Sequence, residues 1–347
     1  MKREHNLLTV SPQADYYIYN LDDFKELRDR INNGTEASGT RYPNGTTGYE
    51  GKVFAMANDI DFNNYQWEGI GTSGGKRFKG TLDGQFHEIK NFITVNNTSN
   101  ANNTFFIYSN GGEICNITIS GTYTLTANTQ NFIFLSDGNT TYHHIVFNVN
   151  VTNTFNMINC ILVNGTCTIV DCYNFGDLTC SSLAYNAGGV FQISGTVERC
   201  ANYGKISYLH SGRYRTSFFI TRRTYDLVIR NCVNYGDMVN ADNRNTGICA
   251  NQAKEITNCL YCGTMSIASV DSGMISNTTP SDSYSNNFYD STKNTPAYSN
   301  GYNGVGMPTA DLKSGNNIFS DTTNWVYESG YYPRLNNWLK NDSRVKI

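Results

Sequence analysis

One phrase is written four times between Thr168 and Met265: TIVDCYNFGDL, TVERCANYGKI, VIRNCVNYGDM and EITNCLYCGTM. Aligned on Cys172, Cys200, Cys232 and Cys259, each copy carries an aliphatic residue three before the cysteine (Ile169, Val197, Ile229, Ile256) and a glycine four after it (Gly176, Gly204, Gly236, Gly263). Two residues beyond the glycine comes another apolar side chain, Leu178, Ile206, Met238 or Met265. The cysteines are 28, 32 and 27 residues apart, and such a period marks stacked units that cannot bury their apolar face alone. Within each copy apolar and polar positions alternate, which is the period of strands and not of helices. A period of this length holds two or three strands and their turns. The expected fold is therefore all-β, a right-handed parallel β-helix (solenoid) of about seven coils with an N-terminal helical cap and a C-terminal cap. The sequences Asn174-Phe175-Gly176, Asn202-Tyr203-Gly204 and Asn234-Tyr235-Gly236 read as turns in which Asn and Gly tolerate left-handed backbone. The cysteines read as small inward hydrophobes, stacked at the strand spacing.

Composition agrees with a neutral polar solenoid. Of 347 residues only 16% are charged, while 47 asparagines, with Ser, Thr, Tyr and Gly, carry the surface. A net charge of -3 gives no general pull toward nucleic acid or acidic lipid. The ten cysteines mostly occupy repeat positions, where parallel Cβ vectors disfavour disulfide geometry, so free buried thiols are expected. The Cys259-x-x-Cys262 pair has no second pair or histidine set to complete a zinc site, and it reads as packing. No cofactor is implied.

Taken in order, residues 1 to 15 form a polar lead-in, and residues 16 to 88 an N-terminal cap with entry strands. Residues 89 to 275 carry the coils, and 276 to 347 a C-terminal extension and cap, all within one structural domain. DDFKELRDRI, residues 22 to 31, offers a helix with Asp22 or Asp23 as N-cap and Phe24, Leu27 and Ile31 on one face, suited to covering an open solenoid end. The opening residues Met1 to Val10 are too short and polar for a secretory apolar core, and no run approaches 18 apolar residues, so no membrane insertion is expected. With Ile89, Ile114, Ile145, Ile169, Val197, Ile229 and Ile256 taken as equivalent, the chain threads into seven rungs.

The stretch DIDFNNYQWEGIGTSGGKRFKGTLDGQFHEIKNF, the coil AGGVFQISGTVERCANYGKIS and the closing WVYESGYYPRLNNW together resemble the GLUG-motif β-solenoid proteins of bacterial surfaces, over roughly residues 16 to 338. Gln192 stands where that motif has glycine, and residues 92 to 161 lack the Cys and Asn-x-Gly pattern. The resemblance implies an adhesin-like β-helix at the cell surface or outside the cell. The reading favoured is a non-catalytic binding or adhesion module for carbohydrate or another cell-surface ligand. A polysaccharide lyase or glycoside hydrolase, and a phage or virion tail component, are the alternatives.

Catalytic candidates are thin. Asp177 and Asp237 share a position after the turn glycine, but Lys205 stands between them and Thr264 follows, so as a carboxylate pair they lie about 10 Å apart, marginal for inversion. His143 and His144, placed just before a strand, are expected to point to opposite faces, which disfavours joint metal ligation. The tryptophans Trp67, Trp325 and Trp338 read as cap packing. One basic segment interrupts the neutral surface: Tyr208, His210, Arg213, Tyr214, Arg215, Arg222, Arg223 and Tyr225. Arginine interleaved with tyrosine suits sugar rings and anionic groups through forked hydrogen bonds and stacking, and these eight residues are the candidate binding site.

Overall fold

A computed structural model of the chain describes residues 13–33, 42, 47–71, 76–94, 102–125, 130–153, 158–180, 189–208, 215–221, 226–240, 244–250, 253–266, 273–276, 283–295 and 301–347. Stacked parallel strands form a β-helix. One inward column runs in register through Phe54, Leu82, Ile114, Tyr142, Ile169, Val197, Ile229, Ile256 and Tyr284, and every one of these side chains is buried. The column holds nine residues where the sequence threading expected seven. A second column on another face passes through Ile107, Phe134, Ile161, Phe191, Phe219 and Cys249.

The threading of the middle coils is corrected by this register. Ile114 pairs with Leu82 and Tyr142, whereas Ile89 and Ile145 belong to neighbouring columns, paired with Ile60 and Ile117. The column that holds Cys172, Cys200, Cys232 and Cys259 is continued upstream by Ile145 and Ile117, each buried and each following a left-handed residue. The middle coils thus keep the repeat with isoleucine in place of cysteine, a swap of one small-to-medium hydrophobe for another.

The repeat asparagines and glycines act through contact, not through left-handed backbone. Neither Asn174, Asn202, Asn234 nor the glycines that follow them have positive φ. The asparagines are fully buried. Asn174 Nδ2 donates to Asn202 Oδ1 at 2.7 Å and Asn202 Nδ2 to Asn234 Oδ1 at 2.8 Å. Each also donates to a carbonyl beyond it, Gly176 at 2.8 Å and Gly204 at 2.9 Å. Inside the core an amide is tolerated only when its hydrogen bonds are made, and the column makes them along the axis.

The expected helix is present as Leu21–Asn33. Its N-cap is Asn20, not Asp22 or Asp23: Asp23 N donates to Asn20 Oδ1 at 3.1 Å, and Asp23 Oδ2 accepts from Tyr19 N at 2.7 Å. The second bond falls on the amide one before the N-cap, so the arrangement is close to a capping box without being one. Phe24, Leu27 and Ile31 are buried together, and the Phe24 ring lies 5.7 Å from Phe62 and 5.6 Å from Phe106, so the helix covers the first coils.

The closing segment lies along a flank of the coils. Val146, Tyr173, Ala201, Val233 and Leu260 stack in register and point away from the main core. They are buried instead against Leu312, Phe319, Trp325, Tyr332, Leu335, Leu339 and Val345. The aromatic residue of each Asn-aromatic-Gly joins this second core: Phe175 and Tyr203 stack at 5.0 Å, Tyr203 and Tyr235 at 4.6 Å. Burying side chains of this kind is worth about 1.5–3 kcal/mol each, which is why these coils accept apolar residues on their outer surface.

The eight cysteines whose side chains are described are all free and buried. Cys259 packs in the main core and Cys262 in the flank core, which places the Cys-x-x-Cys pair on opposite sides of the strand. Burial pushes the thiols of Cys172 and Cys232 well above their ordinary range. All four repeat cysteines are fully buried, so a thiol reagent will label them only after denaturation. Counting labels on native and on denatured, unreduced protein by mass spectrometry checks this, and failure to label the denatured chain would show disulfides.

Candidate functional site

At one corner seven successive coils each turn through a single left-handed residue. Asn116, His144, Asp171, Arg199, Asn231, Asn258 and Asn286 have φ between 50 and 56°, a region that asparagine enters more readily than most residues. Three of the asparagines form a ladder. Asn286 Nδ2 donates to Asn258 Oδ1 at 2.5 Å and Asn258 Nδ2 to Asn231 Oδ1 at 3.2 Å. In the middle the ladder is interrupted by His144, Asp171 and Arg199. Non-glycine residues held here cost about 1–3 kcal/mol each and need surroundings that fix them. Arg199 is held by a forked pair, Nε to Asp171 Oδ1 and Nη2 to Asp171 Oδ2, both at 2.9 Å. That hydrogen bonding raises the Arg199 pKa above its ordinary value.

The turn at His144 changes the expected geometry of the histidine pair. Successive residues of an extended strand point to opposite faces, but the left-handed residue rotates the chain between them. The two rings therefore converge, Nδ1 to Nδ1 at 3.0 Å. His143 Nε2 lies 2.6 Å from Glu113 Oε1, and His144 Nδ1 lies 3.0 Å from Asn116 Oδ1. With the carboxylate taking the Nε2 proton of His143, its Nδ1 lone pair accepts from His144 Nδ1–H, which Asn116 shares. Hydrogen bonding to His143 holds the Glu113 carboxyl below its ordinary range. Burial, then the neighbouring His143, depresses His144.

The closing segment docks on this interruption. Asn337 Nδ2 donates to Asp171 Oδ1 at 2.8 Å, and Trp338 Nε1 to the Asp171 carbonyl at 3.1 Å. The Trp338 ring lies 5.4 Å from Phe86 and 5.7 Å from His144. Trp67 and Trp325 are buried in the two cores, so all three tryptophans serve packing. Asp171→Ala leaves Arg199 and Asn337 without their carboxylate. It is expected to cost about 1–3 kcal/mol and to open residues 309 to 347 to limited proteolysis well before the coils are cut; cleavage of variant and parent at the same rate would refute that anchoring role.

Next to the corner, Asp83, Cys115 and His143 are in register on three successive strands, facing outward beside the inward Leu82, Ile114 and Tyr142. Glu113, two residues before Cys115, shares its face. Donor atoms of Glu113, Cys115 and His143 all lie within 4.8 Å of one another. Cys115 is not part of the main core cluster, although it is buried. Burial, then the Asp83 and Glu113 carboxylates, pushes its thiol far above the ordinary value. A Cys beside a His invites comparison with a nucleophilic dyad, but His143 directs its nitrogens at Glu113 and His144, and the carboxylates oppose a free thiolate.

The sequence-based candidates fare unevenly. The basic segment lies largely outside the described residues: Tyr208 ends the strand Ile206–Tyr208, Arg215 opens Arg215–Thr221, and His210, Arg213, Tyr214, Arg222, Arg223 and Tyr225 are not described. Asp177 and Asp237 are occupied structurally. Asp177 Oδ1 accepts from Lys205 N and Asp237 Oδ1 from Thr264 N, both at 2.7 Å, each tying the turn of one coil to the next. The corner ladder went unread although its signal is plain, the residue immediately before each repeat cysteine. The Glu113, Cys115, His143 cluster was hidden because pairing Ile114 with Ile145 moves His143 away from Cys115.

No family model matches the chain, and no curated protein matches it. Among solved structures, the chain is similar to a "putative immunoglobulin A1 protease" from Bacteroides ovatus, with a TM-score of 0.51 and 16% identity over 92% of this chain and 91% of that one. The likeness is one of fold. The chain is a β-solenoid, and the similarity extends over nearly its whole length.

Proposed function

We propose that the protein is a non-catalytic binding or adhesion module for carbohydrate or another cell-surface ligand, acting outside the cell. The observation that carries this reading is a row of uncharged polar side chains on two long adjacent strands, Glu113–Leu125 and Thr141–Asn153. Thr122, Asn148, Asn150 and Thr152 are exposed there, with Thr122 in register with Asn150. The Thr122 hydroxyl and the Asn150 amide one strand spacing apart, about 4.8 Å, and Asn148, Asn150 and Thr152 about 6.8 Å apart along one strand, match the hydroxyls of a sugar chain laid on this face, and need no charge to do so. The resemblance to GLUG-motif surface solenoids supports the same reading. Proteolysis, raised by the name of the Bacteroides ovatus protein, finds no support in the Cys115 surroundings, where carboxylates disfavour a thiolate. The structural hydrogen bonds of Asp177 and Asp237 likewise weaken a glycosidase reading.

A glycan array tests the proposal. Binding that resists salt and is lost in a Thr122→Arg, Asn148→Arg double variant places the ligand on the row. Binding of acidic glycans that weakens with salt, and is lost when Arg213, Arg215, Arg222 and Arg223 are all changed to Ser, places it on the basic segment. Release of reducing sugar or unsaturated product from a bound polymer would overturn the non-catalytic reading, and no binding to any glycan or cell surface would overturn the module itself.

A further inference from the structure

We propose that Glu113, Cys115 and His143 hold a divalent metal ion of the zinc type on the outer face of the coil, with water in the fourth position. The three donors are an oxygen, a sulfur and a nitrogen, each from a residue that zinc accepts. Their placement follows from the fold. Glu113 and Cys115, two apart on one strand, share a face, and His143 is the direct parallel partner of Cys115 on the next coil. Tetrahedral zinc with bonds of about 2.0–2.3 Å sets its ligand atoms about 3.3–3.8 Å apart. The donors here already lie within 4.8 Å of one another, so side-chain rotation of about 1 Å closes the shell without moving the backbone.

Three further observations favour a metal over mere packing. Cys115 stands apart from the repeat cysteines Cys172, Cys200, Cys232 and Cys259, which pack in the main core, while Cys115 faces outward among polar groups. The shell is supported. Asn116 Nδ2 lies 3.6 Å from Cys115 Sγ and 2.9 Å from Asp83 Oδ1, and His144 meets the second nitrogen of His143 at 3.0 Å, the kind of outer partner that orients a ligating imidazole. Access is open: the side chains of His143 and Glu113 are 24% and 39% exposed. On binding, the thiol proton of Cys115 leaves to solvent, His143 ligates through Nε2 and carries its proton on Nδ1, and His144 shifts its own proton from Nδ1 to Nε2, which lies 3.7 Å from Asp171 Oδ2, so that its Nδ1 accepts from His143. A set with one thiolate and one imidazole selects zinc, cobalt or cadmium and discriminates against calcium and magnesium.

The test uses the full chain, stripped with a chelator and titrated with cobalt(II). One cobalt per chain, with the near-ultraviolet charge-transfer absorption of a thiolate ligand, is expected. Zinc should displace it and calcium should not. Cys115→Ser abolishes the absorption, and His143→Gln and Glu113→Gln weaken binding at least about 10-fold, while Cys249→Ser leaves both intact. Circular dichroism identifies any variant that fails to fold, and Glu113→Gln, at a partly exposed position, supplies the folded comparison. Absence of the thiolate band in the parent, or its persistence in Cys115→Ser, overturns the proposal. Neither outcome depends on glycan binding.

Discussion

Ile229→Asp abolishes the folded array at ordinary temperature or lowers its melting temperature by about 10 °C or more. Ile229 is fully buried and sits in register between Val197 and Ile256, so a carboxylate there has hydrocarbon above and below it. Placing an uncompensated charge in such a site costs about 3–5 kcal/mol, a large share of the roughly 5–15 kcal/mol that holds most domains folded. In a solenoid each coil leans on its neighbours, and the damage passes to the coils of Cys200 and Cys259. Thermal melts followed by circular dichroism read the effect, and a melt like that of the parent would break the column on which the fold rests.

The four cysteine phrases made the parallel β-helix legible because they record one coil each, with the inward residues at fixed offsets. What they could not convey is how the middle coils align. Ile89 and Ile145 satisfy the same apolar pattern as Leu82 and Tyr142, and only the inter-strand hydrogen bonds distinguish them. An inward tyrosine such as Tyr142 breaks a search for aliphatic residues, yet its hydroxyl is satisfied 3.0 Å from Ser109 Oγ. The same ambiguity concealed the metal cluster, since residues from different coils meet only when the register is right. The outward apolar residues were equally hard to place. Tyr173, Val233 and Leu260 look like inward positions until the closing segment is seen to cover them, and no local pattern announces a flank contact with residues so far along the chain.

The left-handed corner and the repeat glycine exchanged roles between sequence and structure. Glycine in Asn-aromatic-Gly suggested a special φ, but the left-handed residues prove to be those before the cysteines, and the glycines have ordinary φ. Their constraint is distance. A Cβ at Gly204 would lie 2.0 Å from the Gly176 carbonyl oxygen, and one at Gly236 the same from that of Gly204. The asparagine ladder runs beside this contact, so the close approach of the coils and the amide hydrogen bonds depend on each other.

Gly204→Ala is therefore expected to destabilise by about 3 kcal/mol or more, at the upper end of what overpacking costs, although alanine has no difficulty with the backbone angles there. The methyl group meets a backbone oxygen, not the end of a movable side chain, and relief requires the two coils to separate. Separation lengthens the Asn174 to Asn202 hydrogen bond of 2.7 Å and takes one hydrogen bond from each of two fully buried amides. Gly51→Ala supplies the contrast: φ is +71° with nothing within 4 Å of the new methyl, so only the left-handed strain of about 1–2 kcal/mol applies. Urea titrations of the two variants separate contact from conformation. If Gly204→Ala is no more costly than Gly51→Ala, the coils are not as closely stacked as the hydrogen-bonded ladder requires.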